Sequence, residues 1–300
     1  AELEKILKGY DRRGNFLGLF FTDAFMLSDF FLVRSFLKWK NTYMVKMEEW
    51  MHIISEMDAM VSMADYRYNH PEANDPTFVE SSEIVYEAKN LYHPFLGAKA
   101  IKNDFCIQDD NYYIITGANM AGKSTFLRSL GVNYILAMAG MPVFADSLKI
   151  SRFRLFSSMR TTDDLTHGIS YFNAELIRLE ELLKFCKDSA MSNNYNERNR
   201  GEKLRTLIIL DEILKGTNSL DKLNGSRRFL EAISKQPVSG IIATHDLELS
   251  KMEAEPSGKF HNYCFEIDLG TDVTYTYKIQ KGVARNQNAT FLLNKILEKY

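Results

Sequence analysis

The sequence contains few of the residues that build disulfide frameworks or thiolate metal sites. Its 300 residues include three cysteines, Cys106, Cys186 and Cys264, which lie far apart without a C-x-x-C pair. A disulfide-stapled scaffold and a zinc ribbon are therefore excluded, and the pattern is typical of a reducing compartment. Because the charged N-terminus does not resemble a signal peptide, we expect a cytoplasmic location.

The sequence also lacks an excess of charge of either sign. Lysine and arginine total 37, and aspartate and glutamate total 39, which leaves a net charge of −2. The chain as a whole therefore has no strongly basic footprint of the kind that dominates nonspecific binding to nucleic acid. Any contact with DNA is expected to be local or to involve other parts of a larger protein.

No apolar run is both long enough and sufficiently free of charge to predict a membrane segment. The richest stretch, residues 16–33, holds many phenylalanines and leucines but also Asp23 and Asp29. A carboxylate at the centre of a bilayer costs about 2.5–3.5 kcal/mol. We therefore expect a buried helix in this stretch.

The first part of the chain is predicted to be helical. Apolar side chains recur three and four positions apart, as at Trp39 and Tyr43. Pro71 and Pro76 end this pattern, because proline disfavours helix at its own position and at the one before it. The sequence thus predicts an all-α region over residues 1–80.

Residues 81–300 are predicted to form a second domain in which strands and helices alternate. Short apolar runs such as 112–116 and 204–210 have the length and composition of buried strands. Strands that alternate with helices predict an α/β fold with a mostly parallel sheet flanked by helices. The polar run 188–203 has no apolar periodicity and is predicted to be a flexible insertion.

Nine consecutive residues carry the most informative motif of the chain, because they fit G-x-x-x-x-G-K-[ST], the loop that binds nucleotide phosphates. They are Gly117, Ala118, Asn119, Met120, Ala121, Gly122, Lys123, Ser124 and Thr125. An apolar run precedes them and a helical pattern follows, a geometry that directs backbone N–H groups and a helix N-terminus at an anion. Lys123 is expected to place its charge on the β- and γ-phosphates of ATP, and the Ser124 hydroxyl to bind Mg²⁺.

Two further apolar runs end in polar residues that suit a phosphate site. The first is followed by Asp211, predicted to hold Mg²⁺ through water, and by Glu212, predicted to polarise the attacking water as general base. The second, residues 241–243, leads to His245, which is expected to reach the γ-phosphate from the same sheet edge. The predicted catalytic residues are therefore Lys123, Glu212 and His245.

The segment before the helix predicted over residues 172–187 has two interpretations. Ser170 suits the N-cap of that helix, and Glu175 lies in its first turn. An exposed helix start with a capping serine is also an anion receptor. From the residues alone, the helix cap is the favoured interpretation.

In their order and spacing, these elements resemble the ATPase domain of the MutS family, a branch of the ABC-type ATPases. Residues 117–125 are similar to the family's G-P-N-M-x-G-K-S-T, and residues 163–175 to its D-D-L-x-x-G-x-S-T-F-x-x-E. Residues 211–217 resemble D-E-I-G-R-G-T, and residues 243–245 match A-T-H. The Asn119-Met120 pair in particular is absent from ordinary phosphate loops.

The resemblance covers about residues 83–290 and includes Tyr92-His93-Pro94, which is similar to an R-H-P of the family. It implies a P-loop ATPase of the ABC type, with ATP and Mg²⁺ as cofactors. The resemblance implies a homodimer in which ATP is sandwiched between two ATPase domains. Ser170 of one copy would then contact the γ-phosphate bound by the other. The resemblance also implies that ATP closes the dimer, that hydrolysis assisted by Glu212 reopens it, and that a larger protein acts on DNA in mismatch repair or recombination control.

Several positions depart from the family pattern. Leu214 and Lys215 replace Gly-Arg after the acidic pair, and Ala118 replaces proline. Residues 218–222, Asn-Ser-Leu-Asp-Lys, stand where the family has S-T-Y-D-G, so that Lys222 takes the place of a glycine. These changes leave the predicted hydrolytic residues in place but leave the coupling between ATP and DNA open.

Two other functions stay open from the sequence. One is an ABC-type ATPase module that drives a membrane or structural partner rather than DNA repair. Such modules carry L-S-G-G-Q or a relative of it, whereas residues 168–172 of this chain read Gly-Ile-Ser-Tyr-Phe. The other is a nucleotide-gated binding module with negligible turnover, which a measurement of phosphate release distinguishes from an enzyme.

Overall fold

The computed structural model describes residues 2–11, 27–159, 171–191, 204–214, 218–269 and 273–285. The chain divides into two compact units, residues 1–69 and residues 70–300. The first is helical and the second mixed α/β. Among the described residues, no helix combines the length and the apolar character that crossing a bilayer requires.

The first unit contains helix α1 (Glu2–Asp11) and the long helix α2 (Ser28–Asn69). The two helices pack closely, since a Cβ added at Gly9 would lie 2.6 Å from Leu32 Cδ1. The expectation of a buried helix over residues 16–33 is wrong for its described part, because Phe30 and Phe31 are 61% and 56% exposed. Apolar residues three and four positions apart predicted helix there but could not specify what covers its apolar side.

The described part of the second unit contains ten strands, three α-helices and two 3₁₀ segments. The strands are β1 (Thr77–Phe78), β2 (Val85–Leu91), β3 (Asn103–Gln108), β4 (Tyr112–Gly117), β5 (Ser147–Ile150), β6 (Arg154–Met159), β7 (Thr206–Asp211), β8 (Val238–Ala243), β9 (Phe260–Leu269) and β10 (Val273–Lys281). The helices are α3 (Lys123–Met138), α4 (Tyr171–Met191) and α5 (Ser219–Ile233), and the 3₁₀ segments are Pro94–Lys99 and Leu247–Ala254.

The strands form two sheets. The smaller has the order β1-β5-β2-β3, in which β2 runs antiparallel to both of its neighbours and β1 parallel to β5. The larger has the order β10-β9-β4-β8-β7-β6 and is parallel at every pair except β9–β10. The predicted α/β class with a mostly parallel sheet agrees with this arrangement.

The three central strands β4, β7 and β8 are buried along their whole length. Successive side chains of a strand point to opposite faces, which distributes them between two cores. Ile115 and Ile209 pack in the core that includes α3, whereas Ile114 and Ile208 pack in the core that includes α4 and α5. Burial on both faces explains why these strands are largely apolar and do not alternate between apolar and polar residues.

Helix α4 is longer than its sequence pattern predicts. It continues to Met191, so the predicted insertion over residues 188–203 is wrong for its first four positions. The remainder, residues 192–203, lies outside the described residues. A helix turn with few apolar residues lacks apolar periodicity just as a loop does, which is why the pattern misplaced this boundary.

Candidate functional site

The glycine-rich loop connects the end of β4 to the start of α3. Gly117 has φ 148°, and a Cβ there would lie 2.8 Å from the Phe265 carbonyl oxygen. Gly122 has φ 108° and caps the N-terminus of α3 without a side-chain acceptor. Both positions therefore require glycine, because other residues rarely adopt these backbone conformations. Gly117 also requires it because a side chain would collide with the backbone of Phe265.

The N-terminus of α3 has the features of an anion-binding site. Its first intrahelical hydrogen bond runs from the Phe126 N–H to the Gly122 carbonyl. The N–H groups of the first turn come before Phe126 and take no part in the hydrogen bonds of the helix itself. Such groups carry the positive end of the helix dipole and are usually capped by a side chain or a ligand. Ser124 lies half-buried in this turn, and Thr125 is exposed.

The Lys123 ammonium is folded back into the loop. Its Nζ donates to the carbonyl oxygens of Gly117 and Ala118 at 2.6 and 2.8 Å, and the residue is 5% exposed. Burial lowers the pKa of Lys123 from 10.5 to about 8, while the carboxylates of Glu212 and Asp211 act in the opposite direction. A cation that the loop carbonyls hold at this point is well placed to contact the phosphates of a bound nucleotide.

Parallel strand pairing brings the carboxyl ends of β4, β7 and β8 to one edge of the sheet. Ala243, at the end of β8, pairs with Ile115 of β4 on one side and with Asp211 of β7 on the other. The Glu212 N–H extends this pairing by donating to the Ala243 carbonyl at 2.9 Å. Asp211 itself is buried. The acidic pair and the residues after β8 therefore lie beside the loop after β4.

His245 joins the acidic pair to the loop. Its Nε2 lies 3.1 Å from Glu212 Oε1, and its Nδ1 lies 3.3 Å from Lys123 Nζ and 3.1 Å from the Gly117 carbonyl oxygen. Burial and then the charge of Lys123 lower the pKa of His245, which favours the neutral ring. A neutral tautomer that donates from Nε2 to Glu212 can accept from Lys123 at Nδ1. Three of the predicted site residues thus form one connected group.

Three described features of this region were not predicted from the sequence. Lys222 of α5 places its Nζ 3.7 Å from Glu212 Oε2. The only sequence signal was the lysine in place of a family glycine. Glu212 has φ 66°, a left-handed conformation uncommon for glutamate. An uncommon backbone conformation at this point gives the carboxylate a direction that no sequence motif specifies.

The third feature is a cavity of about 270 Å³ next to the loop. Its lining includes Gly122 and Thr125 of the loop, Phe265 of β9, Tyr277 of β10 and His93. Strands from both sheets contribute, so no local pattern could have identified it. Its size is near the lower end of the range of ligand pockets, roughly 300–1,000 Å³.

Part of the predicted site lies outside the described residues. Ser170 is among them, as are residues 163–169 and 215–217. Of the same region, Glu175 of α4 is described and is buried. Within the described ranges, no three histidine, cysteine, aspartate or glutamate side chains gather as a metal site. A magnesium ion that takes most of its oxygen ligands from phosphates and water needs no such cluster of side chains.

Comparison with known proteins gives consistent matches. Residues 113–291 match the family described as MutS domain V. The DNA mismatch repair protein MutS of Staphylococcus epidermidis is 30% identical over 223 residues, which cover 71% of this chain and 23% of that protein. The MutS protein of Petrotoga mobilis is 29% identical over 254 residues, 82% of this chain and 29% of that protein. The chain spans about a quarter of the length of the curated relatives that it matches.

Proposed function

Because the chain belongs to the MutS family, we propose that it binds and hydrolyses ATP as the ATPase domain of a DNA mismatch repair protein. The observation that carries this proposal is the connected group of Lys123, His245 and Glu212 at the glycine-rich loop. A cation, a neutral imidazole and a carboxylate converge where a γ-phosphate and its attacking water are expected. Phosphoryl transfer requires positioning and charge stabilisation of this kind.

In this proposal the loop and the first turn of α3 bind the phosphates. Lys123 exchanges the two loop carbonyls for β- and γ-phosphate oxygens, which also restores the full charge that burial disfavours. Glu212 acts as the general base, and the water that it polarises attacks in line with the leaving group. His245 accompanies this step by turning from Glu212 toward the γ-phosphate.

The donor chemistry of the same edge fits a hard divalent cation. Ser124 offers a hydroxyl in the first turn of α3, and Asp211 a buried carboxylate at the end of β7. Oxygen ligands of this type, supplemented by water and phosphate oxygens, are those that Mg²⁺ prefers. We propose that Ser124 and Asp211 hold Mg²⁺, which would neutralise charge on the transferred phosphoryl group.

The cavity beside the loop provides a place for the nucleotide base. Tyr277, which is 41% exposed, and the buried Phe265 both line this cavity, so aromatic rings border the space adjoining Gly122. Aromatic rings stack favourably on planar π-systems. We propose that the base occupies this cavity while the triphosphate follows the loop.

We propose further that two copies close on ATP as a homodimer. This proposal rests on the family resemblance, which gives Ser170 of one copy a contact with the γ-phosphate bound by the other. DNA is proposed as a partner of the full-length protein. The chain carries only a quarter of the length of its relatives, so the proposal assigns DNA contacts to the whole protein.

The alternative of an ABC-type module that drives a membrane or structural partner is not favoured by the family match. A measurement of phosphate release tests the ATPase proposal directly. We expect the wild-type chain to release phosphate with Mg²⁺ and ATP, and Glu212→Gln to bind ATP without doing so. ATP binding with no release by the wild type would identify a nucleotide-gated binding module instead.

A further inference from the structure

We propose that Lys222 is a positioning residue, which holds the Glu212 carboxylate in the orientation required for water activation. The inference rests on the proposed ATP hydrolysis and adds to it a residue that stands at a glycine position of the family pattern. Since glycine has no side chain, an ammonium at this point is a property of this chain rather than of the pattern.

The two oxygens of the Glu212 carboxylate have different neighbours. His245 Nε2 lies 3.1 Å from Oε1, and Lys222 Nζ lies 3.7 Å from Oε2. These neighbours come from different elements, one from the residues after β8 and the other from α5. Two contacts on opposite oxygens fix the rotation of a carboxylate, which a single contact leaves free.

The first turn of α5 is built rigidly enough to serve this purpose. The Asn218 side chain accepts from the Asp221 N–H at 3.0 Å and donates to the Asp221 carboxylate at 2.6 Å. The Lys222 N–H donates to the Asn218 carbonyl at 2.9 Å, which closes the turn. An N-cap of this type stabilises a helix start and limits fraying. The stem of Lys222 therefore starts from a defined backbone position.

Helix α5 also lies against the residues that follow Glu212. A Cβ added at Gly225 would come within 2.4 Å of Leu214 Cδ1, and the Ser226 hydroxyl donates to the Ile213 carbonyl at 3.4 Å. Ile213 and Leu214 are themselves buried. The helix that carries Lys222 and the segment that carries Glu212 are thus in direct contact at several points.

Burial distinguishes this ion pair from the other pairs of the same helix. The side chains of Lys222 and Glu212 are 20% and 14% exposed, whereas those of Arg227 and Glu231 are 53% and 42% exposed. Solvent screens the second pair, and exposed i,i+4 pairs of this kind contribute little to stability. The partly desolvated pair is held more strongly by its charges, because the effective dielectric around it is lower.

The expected influence of Lys222 on turnover follows from the contacts that Glu212 loses when a nucleotide binds. In the proposed mechanism His245 turns from Glu212 Oε1 to the γ-phosphate, which removes one of the two contacts. Lys222 then remains as the neighbour that holds the carboxylate through Oε2. Among the described residues, the charged and titratable groups near this pair include Lys123 on α3, Asp211 on β7 and His245 after β8. We therefore expect Lys222 to support turnover and not nucleotide affinity.

Steady-state kinetics with the full chain test this expectation. Lys222→Met should lower kcat about tenfold while the Kd for ATP changes by less than about twofold, because misplacing a reacting group affects the chemical step. Lys222→Arg should recover most of the lost kcat. Arg228→Met, which removes the same charge from an exposed position of α5, should match the wild type. The proposal is overturned if kcat of Lys222→Met is unchanged or increased. It is also overturned if kcat falls together with Tm and Lys222→Arg does not restore kcat.

A second measurement does not depend on turnover. The imidazole of His245 can be followed by NMR across pH, with His245→Gln used for assignment. The ammonium of Lys222 contributes to lowering the pKa of His245. Lys222→Met should therefore raise that pKa, and Arg228→Met should leave it in place. A wild-type chain that binds ATP without hydrolysing it would overturn the proposed function, whereas an unchanged His245 titration in Lys222→Met would overturn the placement of Lys222 itself.

Discussion

The imidazole of His245 lies 3.1 Å from the Glu212 carboxylate and, through its other nitrogen, 3.3 Å from the Lys123 ammonium. One ring therefore joins the predicted general base to the predicted phosphate-binding cation. Because burial lowers the pKa of His245, the ring is favoured in its neutral form at physiological pH. A neutral ring can change hydrogen-bond partners without moving a buried charge, which suits a group expected to respond to a γ-phosphate.

Removal of the Lys123 ammonium should abolish nucleotide binding. In Lys123→Ala the loop keeps its glycines but loses the cation that meets the phosphates, and we expect ATP affinity to fall by about 100-fold or more. Binding of a fluorescent ATP analogue measures the loss. Lys102→Ala provides the control, since Lys102 pairs with Asp146 on the surface. Wild-type affinity in Lys123→Ala would contradict the assignment of the loop.

Replacing the general base should separate binding from turnover. Glu212→Gln keeps the side-chain shape but removes the basic oxygen, so phosphate release should fall about 10²–10⁴-fold. ATP should stay bound and stabilise the closed homodimer. Analytical ultracentrifugation with ATP and Mg²⁺ reports the association. A variant that is saturated with ATP yet sediments as a monomer would count against closure on nucleotide.

ATP binding should take up a proton near pH 8. The pKa of Lys123 is about 8 in the free chain, and contact with phosphates raises it. Near that pH, uptake should approach about half a proton, and at pH 7 it should be about a tenth. Affinity should accordingly weaken as pH rises above 8, where the free lysine becomes neutral. Calorimetry in buffers of different ionisation enthalpy measures the uptake, and equal uptake at both pH values would contradict the assignment.

The proposed base site can be tested at Tyr277. Asparagine tolerates the φ of 53° at this position, so Tyr277→Asn removes the ring with little backbone strain. We expect ATP affinity to fall about 5–50-fold, in line with the energy of one base–aromatic stack. Binding of inorganic tripolyphosphate should not change, because it has no base. Parallel losses for both ligands would indicate damage to the loop rather than to a base site.

Asn133 on α3 should be important for stability. Its buried Nδ2 donates to the carbonyls of Tyr92 and Ser129, and its Oδ1 accepts from the Phe144 N–H at 2.6 Å. Asn133→Ala should cost about 2–4 kcal/mol, because buried polar groups are left without these bonds. Urea denaturation measures the change, and Asn224→Ala, at an exposed position of α5, is the control. A cost below about 0.5 kcal/mol would show that water replaces the lost bonds.

Family membership and the α/β class could be predicted from the sequence because both depend on local patterns. The runs that became β4, β7 and β8 are largely apolar, and each ends at, or one residue before, a polar or glycine residue. Parallel sheets place such ends at one edge, so the approach of Glu212 and His245 to the loop follows from topology. Local patterns failed where a boundary had no apolar signal, as at the C-terminal end of α4.

The motif order by itself determined which family the chain belongs to, because glycines at required conformations and polar residues after buried strands recur at fixed spacing. Only the tertiary structure decided that Lys222 reaches Glu212 and that Tyr277 borders a cavity beside Gly122. These residues are distant along the chain or carry no motif. Their positions depend on how helix α5 and strand β10 pack against the sheet, and sequence periodicity predicts which face of an element is buried but not which residue it meets.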